Sequence, residues 1–496
     1  MAVYRFSALR DGQSVSFRPT ADVLSFDQSS ISAADIRVSA SGAHTRIEFG
    51  AKDILLLNTS PQQLATSNIT FANGSRLVVG DNSTATGDNG ANTLPGTSGR
   101  DHLIGMGGDD FLDGGAGADR LDGGLGNDYY VVGAGDIVVD AGGARDSVAS
   151  SVSWTLAPGL EILWLTGNAV QGLGNDGYNE ISGNGGNNVI SGRGGDDALW
   201  GQGGNDTFNM SLGSASSYGS DYIDGGTGVD TIDYGANARS PVTIDLGANR
   251  ASGGGSGGSG RVTLYNVENA VGGNYADRLV GDAGDNFLYG GAGNDTLVGG
   301  AGNDRLEGGS GNNVYLVDAP GDAVMGGSGR DVVFSSAEYY VLDGRSVEEL
   351  NLTGTGDLQG IGSWGNEVIR GNSGNNTLAG GHGNDTLTGG AGADHFNFPY
   401  LFDAFARITD FTSGVDKIEI RFASIPGSYP HFEPGDARFW AAPGATRGHD
   451  ADDRIIYNTS NGNLYYDPDG SGSHTSYLWA TLEGAPRLVA TDLMVV

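Results

Sequence analysis

The chain has 496 residues, of which 89 are glycine, and 60 acidic residues against 26 basic ones leave a net charge of −34. The absence of cysteine excludes disulfide, zinc-thiolate and iron–sulfur chemistry, and the charge would repel nucleic-acid phosphate. Glycine lacks a three-residue period, which excludes collagen, and no apolar run approaches the roughly 20 residues that span a bilayer, so neither a nucleic-acid partner nor a transmembrane segment is expected.

Residues 1–85 hold short apolar runs, Val23–Phe26, Ile36–Val38, Arg46–Phe49, Ile54–Leu57 and Leu77–Val79, spaced by Gly, Asn and Ser. They predict a small β-domain that caps the repetitive region behind it or binds a cell or partner. The opening residues lack the charged-then-apolar layout of a cleaved signal peptide.

Residues 86–398 are repetitive. Gly114-Gly-Ala-Gly-Ala-Asp119-Arg-Leu121-Asp is followed directly by Gly123-Gly-Leu-Gly-Asn-Asp128-Tyr-Tyr130-Val, and the pattern G-G-x-G-x-D-x-U-x, with U large and apolar, recurs at 225–233, 290–298, 299–307, 380–388 and 389–397. Looser copies lie at 105–113, 192–200 and 201–209. The paired glycines suit a turn, and the apolar residue flanked by polar ones suits a short strand. Nine residues thus make one turn and one strand, two units make an eighteen-residue coil, and coils stacked about 4.8 Å apart make a parallel β-roll. The fold class is all-β: a parallel β-solenoid of nonapeptide repeats with small β-rich N- and C-terminal domains. The 48 Asp against 12 Glu fit this reading, because turn carbonyls and two short carboxylates form the hard oxygen cage that Ca²⁺ prefers.

A larger duplication overlies the repeat: an offset of 188 takes Ile181 to Ile369, Asp197 to Asp385 and Phe208 to Phe396. Between the two copies, the Gly/Ser run 252–260 is expected to loop loosely off the roll, flanked by strands at Val242–Leu246 and Val262–Leu264.

The nonapeptides resemble the repeats-in-toxin (RTX) calcium-binding proteins. The resemblance implies that turn n and turn n+2 share one ion, the earlier turn offering carbonyls at its second and fourth positions, the later at its first and third, and both their sixth-position Asp. It sets Thr97, Gly99 and Asp101 against Gly114, Ala116 and Asp119, and Met106, Gly108 and Asp110 against Gly123, Leu125 and Asp128. It sets Gly273, Tyr275 and Asp277 against Gly290, Ala292 and Asp295, while Gly284 joins Gly299, Ala301 and Asp304. Gly192, Gly194, Asp197, Gly201, Gly203, Asp206, Asp221 and Asp230 lie in one further block, and Asp331, Gly380, His382, Asp385, Gly389, Ala391 and Asp394 in the other. Asn179, Asn188, Asn286, Asn313 and Asn376 replace the Asp, as Glu367 does once, and such sites should bind more weakly or end the ion rows.

In the C-terminal domain, 399–496, Arg407–Ile418 and Asn463–Gly470 are similar to the segment that ends serralysin-type exported proteins. Asp467, Asp469 and Ser471 reproduce the first half of an EF-hand-like loop, but Leu478 stands at its twelfth position, so a single ion competes there with a plain Asp-rich turn. The end, Thr491–Val496, resembles the uncleaved signal read by type I exporters in the same family.

No enzyme is expected. The seven histidines form no H-E-x-x-H, and Gly254-Gly-Ser256-Gly-Gly258 matches the nucleophile elbow only inside a Gly/Ser run. The expected protein resembles bacterial surface-layer or matrix members without a catalytic domain. It binds several Ca²⁺ ions, leaves the cell unfolded through a type I exporter, folds extracellularly or at the cell surface, and self-associates into a homo-oligomeric lattice or tube. A cell-surface polysaccharide is a further expected partner. The alternative is a calcium-dependent adhesin that binds glycans or a host surface through residues 1–85.

Overall fold

Most strands are three to six residues long, because each repeat supplies one inward apolar residue before the next glycine turn. The computed structural model describes residues 1–84, 89–210, 217–342, 344, 346–398, 404–420 and 431–496. Among these, helical geometry is confined to three-residue 3₁₀ turns, and no helix is long and apolar enough to cross a membrane. The fold is an all-β parallel roll. It divides into two compact units: Met1–Asp233 with Gly255–Val267, and Tyr234–Gly254 with Glu268–Val496.

The first unit opens with a three-stranded parallel sheet, Val3–Arg5, Val23–Phe26 and Ile69–Phe71, beside a four-stranded sheet of Gln13–Ser16, Lys52–Leu57, His44–Phe49 and Arg37–Ser41. Phe26 stacks between Phe6 and Phe71 with ring centroids 4.5 and 4.6 Å away. The strand Leu77–Val79 then pairs in parallel with His102–Gly107, so the hydrogen-bond ladder of the roll starts on this segment.

Along one face of the roll, Leu112, Tyr130, Val148, Leu163, Ile181, Leu199 and Ile223 align strand to strand, each buried, as a single seam of core side chains. Burial alternates about this seam in Glu180-Ile181-Ser182 and Ala198-Leu199-Trp200, whereas Ser147–Ser150 is buried throughout. On the outer surface of the same strands, Tyr129 stacks on Phe111 (5.4 Å) and lies tilted against Trp164 (5.6 Å).

The second unit repeats the plan. Leu279, Leu297, Tyr315, Val333, Leu350, Ile369, Leu387 and Ile408 form the corresponding seam. Arg250–Gly253 pairs antiparallel with Val242–Asp245, so the start of the Gly/Ser run is a hairpin strand where a loose loop was expected. Gly253 is tolerated there because its φ of +95° and the closeness of Pro241 O leave no room for a side chain. Towards the C-terminus, Asn463–Tyr466 and Tyr477–Leu482 pair antiparallel, and the latter joins Ala404–Ile408 in parallel. The strand Leu493–Val495 pairs in parallel with Lys417–Ile420, with Leu493 and Val495 buried.

Leu297 is fully buried between Leu279 and Tyr315, whereas Tyr289 is 37% exposed. Leu297→Ala should destabilise the calcium-loaded protein by about 2–5 kcal/mol, and Tyr289→Ala by less than about 1 kcal/mol. Thermal unfolding followed by circular dichroism measures both, and equal losses would contradict the assigned register.

Candidate calcium sites

Each turn between strands places its sixth-position side chain inside the roll rather than in solvent. One oxygen of that carboxylate accepts a hydrogen bond from the backbone N–H of the sixth residue one coil earlier. Asp101 N donates to Asp119 Oδ1 (2.7 Å) and Asp119 N to Asp136 Oδ1 (2.8 Å). On the other edge, Asp110 N donates to Asp128 Oδ1 (2.8 Å) and Asp128 N to Asp146 Oδ1 (2.7 Å). The ladder recurs from Asn179 to Asp197 to Asp221 and from Asn188 to Asp206 to Asp230. In the second unit it runs from Asp277 through Asp295 and Asn313 to Asp331, from Asn286 through Asp304 to Asp322, from Glu367 to Asp385, and from Asn376 through Asp394 to Asp416.

The second oxygen distinguishes the turns. Oδ2 of Asp119, Asp128, Asp146, Asp197, Asp206, Asp295, Asp304 and Asp331, and Oε2 of Glu367, are buried with no hydrogen-bond partner. An unpaired ionised oxygen in the interior is strongly unfavourable, so these atoms require a cation or a proton. Asp101 and Asp277 differ: Oδ2 of Asp101 accepts from Thr97 N and Thr97 Oγ1, and that of Asp277 from Gly273 N. At the asparagine positions the side chain supplies its own donor. Asn179 Nδ2 reaches Leu160 O (3.1 Å), Asn188 Nδ2 reaches Ala169 O (3.0 Å) and Asn286 Nδ2 reaches Glu268 O (2.7 Å).

Backbone carbonyls meet these carboxylates. A Cβ on Gly115 would collide with Thr97 O, one on Gly117 with Gly99 O, and one on Gly96 with Gly114 O. Carbonyls at the second and fourth positions of 96–101 therefore face turn 114–119, and the first-position carbonyl of that turn faces back. The relation recurs where Gly291 meets Gly273 O, Gly293 meets Tyr275 O, Gly302 meets Gly284 O and Gly126 meets Gly108 O. First-position glycines have a separate cause. A Cβ on Gly123, Gly192, Gly201, Gly290, Gly299, Gly380 or Gly389 would strike Oδ2 of the Asp five residues later. Carboxylate oxygens without donors, beside backbone carbonyls and short of positive charge, are a donor set suited to a hard divalent cation.

The structure also brings together residues that reading for the exact nonapeptide passes over. Asp136, Asp146, Asp322 and Asp416 continue the ladders, Asp146 and Asp322 at spacings of eighteen from Asp128 and Asp304. The eighteen-residue spacing was the available signal. Asp221 and Asp230 stand 24 residues after Asp197 and Asp206 and occupy the same ladders. Asp140 joins Asp128 and Asp146 in a cluster in which one carboxylate oxygen from each lies within 4.8 Å of the others. In the C-terminal region, Asp467 Oδ2 accepts from Gly448 N and Ser476 Oγ, and Oδ1 from Asp469 N and Gly470 N, while Asp469 pairs with His474. Asp467 thus organises its own turn. The amide of His382 bonds Ser363 O (2.9 Å), and its ring stacks on Trp364.

The RTX calcium-binding nonapeptide repeat matches residues 86–121, 95–130, 173–208, 216–238, 271–306, 292–319 and 361–396. These segments carry RTX calcium-binding nonapeptide repeats. No curated protein matches it. Among solved structures, the extracellular lipase LipA from Serratia marcescens is similar at 16% identity over 71% of this chain and 45% of the lipase chain, with a TM-score of 0.13. The chain therefore spans under half the length of that lipase.

In the RTX roll, burial raises the acids. Asp119 and Asp197 are pushed up to about 7 and Asp221 to about 8, while Asp128, Asp206, Asp295, Asp304 and Asp394 reach about 6. Desolvation is the largest cause in each, the ladder hydrogen bond pulls the other way, and neighbouring acids add to the rise. The metal-free fold therefore holds protons that the unfolded chain releases above 3.8, the ordinary value for Asp. That contribution to stability is complete below this value and is lost as pH rises through about 6 to 8. In chelator, the β-signal in circular dichroism should be larger near about pH 4.5 than near about pH 7.5, and calcium should reverse the order because it binds the deprotonated acids.

Removing one ligating oxygen set tests the ladder directly. Asp295→Asn should raise the calcium concentration at the folding midpoint by about threefold or more, and Asp140→Asn should raise it if the third carboxylate of its cluster contributes. Calcium titrations followed by circular dichroism give both midpoints. An unmoved midpoint in Asp295→Asn would remove that turn from the sites.

Proposed function

We propose that this chain is a secreted, calcium-dependent structural protein that is exported unfolded and folds outside the cell when Ca²⁺ reaches its turns. The observation that carries this reading is the set of buried carboxylate oxygens without partners, aligned along each unit beside backbone carbonyls. Extracellular calcium modules bind at roughly 10⁻⁴–10⁻³ M, so a calcium-poor cytosol would leave such turns with uncompensated charge. In this reading calcium serves structure rather than catalysis. Each bound ion removes two units from the −34 of the chain, which lowers repulsion between copies and favours assembly into a surface-layer or matrix lattice.

The reading of the tail as a type I export signal belongs to the same proposal. Asp492 is fully buried and accepts bonds from Ser413 Oγ and Gly414 N, so the segment is committed to the sheet once the protein has folded. An exporter would then have to read it before folding.

Purified protein should be unfolded in chelator at neutral pH, gain a β-rich spectrum on calcium addition, and form sheets or tubes visible by electron microscopy. A β-rich spectrum that persists in chelator at neutral pH would refute calcium-driven folding. A folded protein that stays monomeric, with glycan binding retained by isolated residues 1–85, would favour the adhesin instead.

A further inference from the structure

The strongest unassigned feature lies in the second unit, away from the carboxylate ladders. The strands Tyr339–Val341, Gln359–Ile361, Thr377–Ala379 and His395–Phe398 are neighbours in one parallel sheet. Their outer face and the adjoining turns line a groove of about 440 Å³, within the roughly 300–1,000 Å³ range of small-ligand clefts. Trp364 stands at its edge, 77% exposed, whereas the next most exposed aromatic side chain among the described residues, Tyr178, is at 49%. Trp364 occupies the third position of the turn 362–367, equivalent to Ala116 and Ala301 in other repeats. Neither a turn nor a core requires a tryptophan there.

The ring is held rather than loose. The His382 imidazole, one coil later, stacks on it with centroids 4.1 Å apart and planes 11° apart. One face of the indole is thereby covered, and its high exposure leaves the other to solvent. Beyond it the groove presents Tyr339, Val341 and Ile361 together with the amides of Gln359 and Asn397. Asn397 Nδ2 donates to Glu419 Oε2 (2.7 Å), which orients its amide and leaves the carbonyl oxygen as an acceptor. Among the described residues the lining includes no Asp, Glu, Lys or Arg, in a chain carrying 60 acids.

We propose that this groove binds a neutral oligosaccharide, one sugar ring stacking through its apolar C–H face on Trp364 while its hydroxyls bond Gln359 and Asn397. The lining dictates this chemistry. An aromatic face attracts the weakly positive C–H groups of a pyranose, and amides pair with hydroxyls as both donors and acceptors. A cationic ligand would find no counter-charge among the described residues of the lining, and the field of a −34 chain disfavours an anionic one. The site places the polysaccharide contact on the roll itself rather than on residues 1–85, and it does not depend on lattice assembly.

The test uses the full, calcium-loaded chain with cellohexaose, chitohexaose and maltohexaose, and with hexagalacturonate as the charged counterpart, each titrated by calorimetry and tryptophan fluorescence. At least one neutral glycan should bind, Trp364→Ala should weaken that binding by about tenfold or more, and Gln359→Ala should weaken it less. Circular dichroism of the same samples reads calcium-dependent folding separately, so loss of glycan binding in a folded variant is distinguishable from failure to fold. Absence of binding by every neutral glycan at millimolar concentration, binding unchanged in Trp364→Ala, or tighter binding of hexagalacturonate would each overturn the assignment.

Discussion

The structure depends on a carboxylate that is only half satisfied. At the sixth position of turns such as 114–119, 123–128 and 290–295, one oxygen is tied to the backbone of the previous coil and the other is buried with nothing to accept from. The tied oxygen sets the register between coils, as a ladder hydrogen bond does. The untied one makes that register conditional, because an ionised oxygen in the interior needs a partner charge. Packing and calcium dependence are therefore two consequences of one side chain.

The glycine content has its origin in the same constraint. First-position glycines exist because Oδ2 of their own turn fills the space of a Cβ. Second- and fourth-position glycines adopt left-handed angles, +82° at Gly115 and +139° at Gly117, and face the carbonyls of the coil before. The left-handed second position survives even where glycine is lost: Met106, Arg193 and Gln202 have φ values of +79°, +71° and +76°. Backbone geometry is thus the stricter requirement, and the stack tolerates local strain to keep it. The asparagine turns show the other solution, in which an amide donor supplies internally what the aspartate turns must take from a cation or a proton.

The roll was legible in the sequence because its two periods, nine and eighteen, are written in glycine and aspartate, and Leu121, Leu297 and Leu387 all lie in the core. The ladder was only partly legible. Asp136 and Asp416 sit at spacings of 17 and 22 from Asp119 and Asp394, because irregular turns add or remove residues without disturbing strand pairing. Asp140 belongs to no repeat position, and its approach to Asp128 and Asp146 is a tertiary fact. The strand Arg250–Gly253 was hidden by its own composition, since a Gly/Ser run reads as linker unless a partner strand is seen beside it. Trp364 was invisible as a site for a related reason: only the fold sets it against His382 and a groove of amides.

A coil stack of this kind transmits order to its neighbours. Where the next coil holds an aspartate, the sixth-position N–H donates to its carboxylate, as Asp277 N does to Asp295 and Asn313 N to Asp331, so an ion that fixes one carboxylate also fixes the amide of the coil before and positions the carbonyls beside it. Ions in a row should therefore favour one another up to a point where the ladder changes character. Such points are visible: Asp146 N and Asp331 N donate to the longer side chains of Glu161 and Glu348 instead of to an aspartate. These two glutamates stand 187 residues apart, one in each unit, at the same place in the duplicated plan. Each unit thus carries its own break in the carboxylate rows, and calcium-driven order is expected to spread in blocks bounded by these glutamates rather than as a single event along the chain.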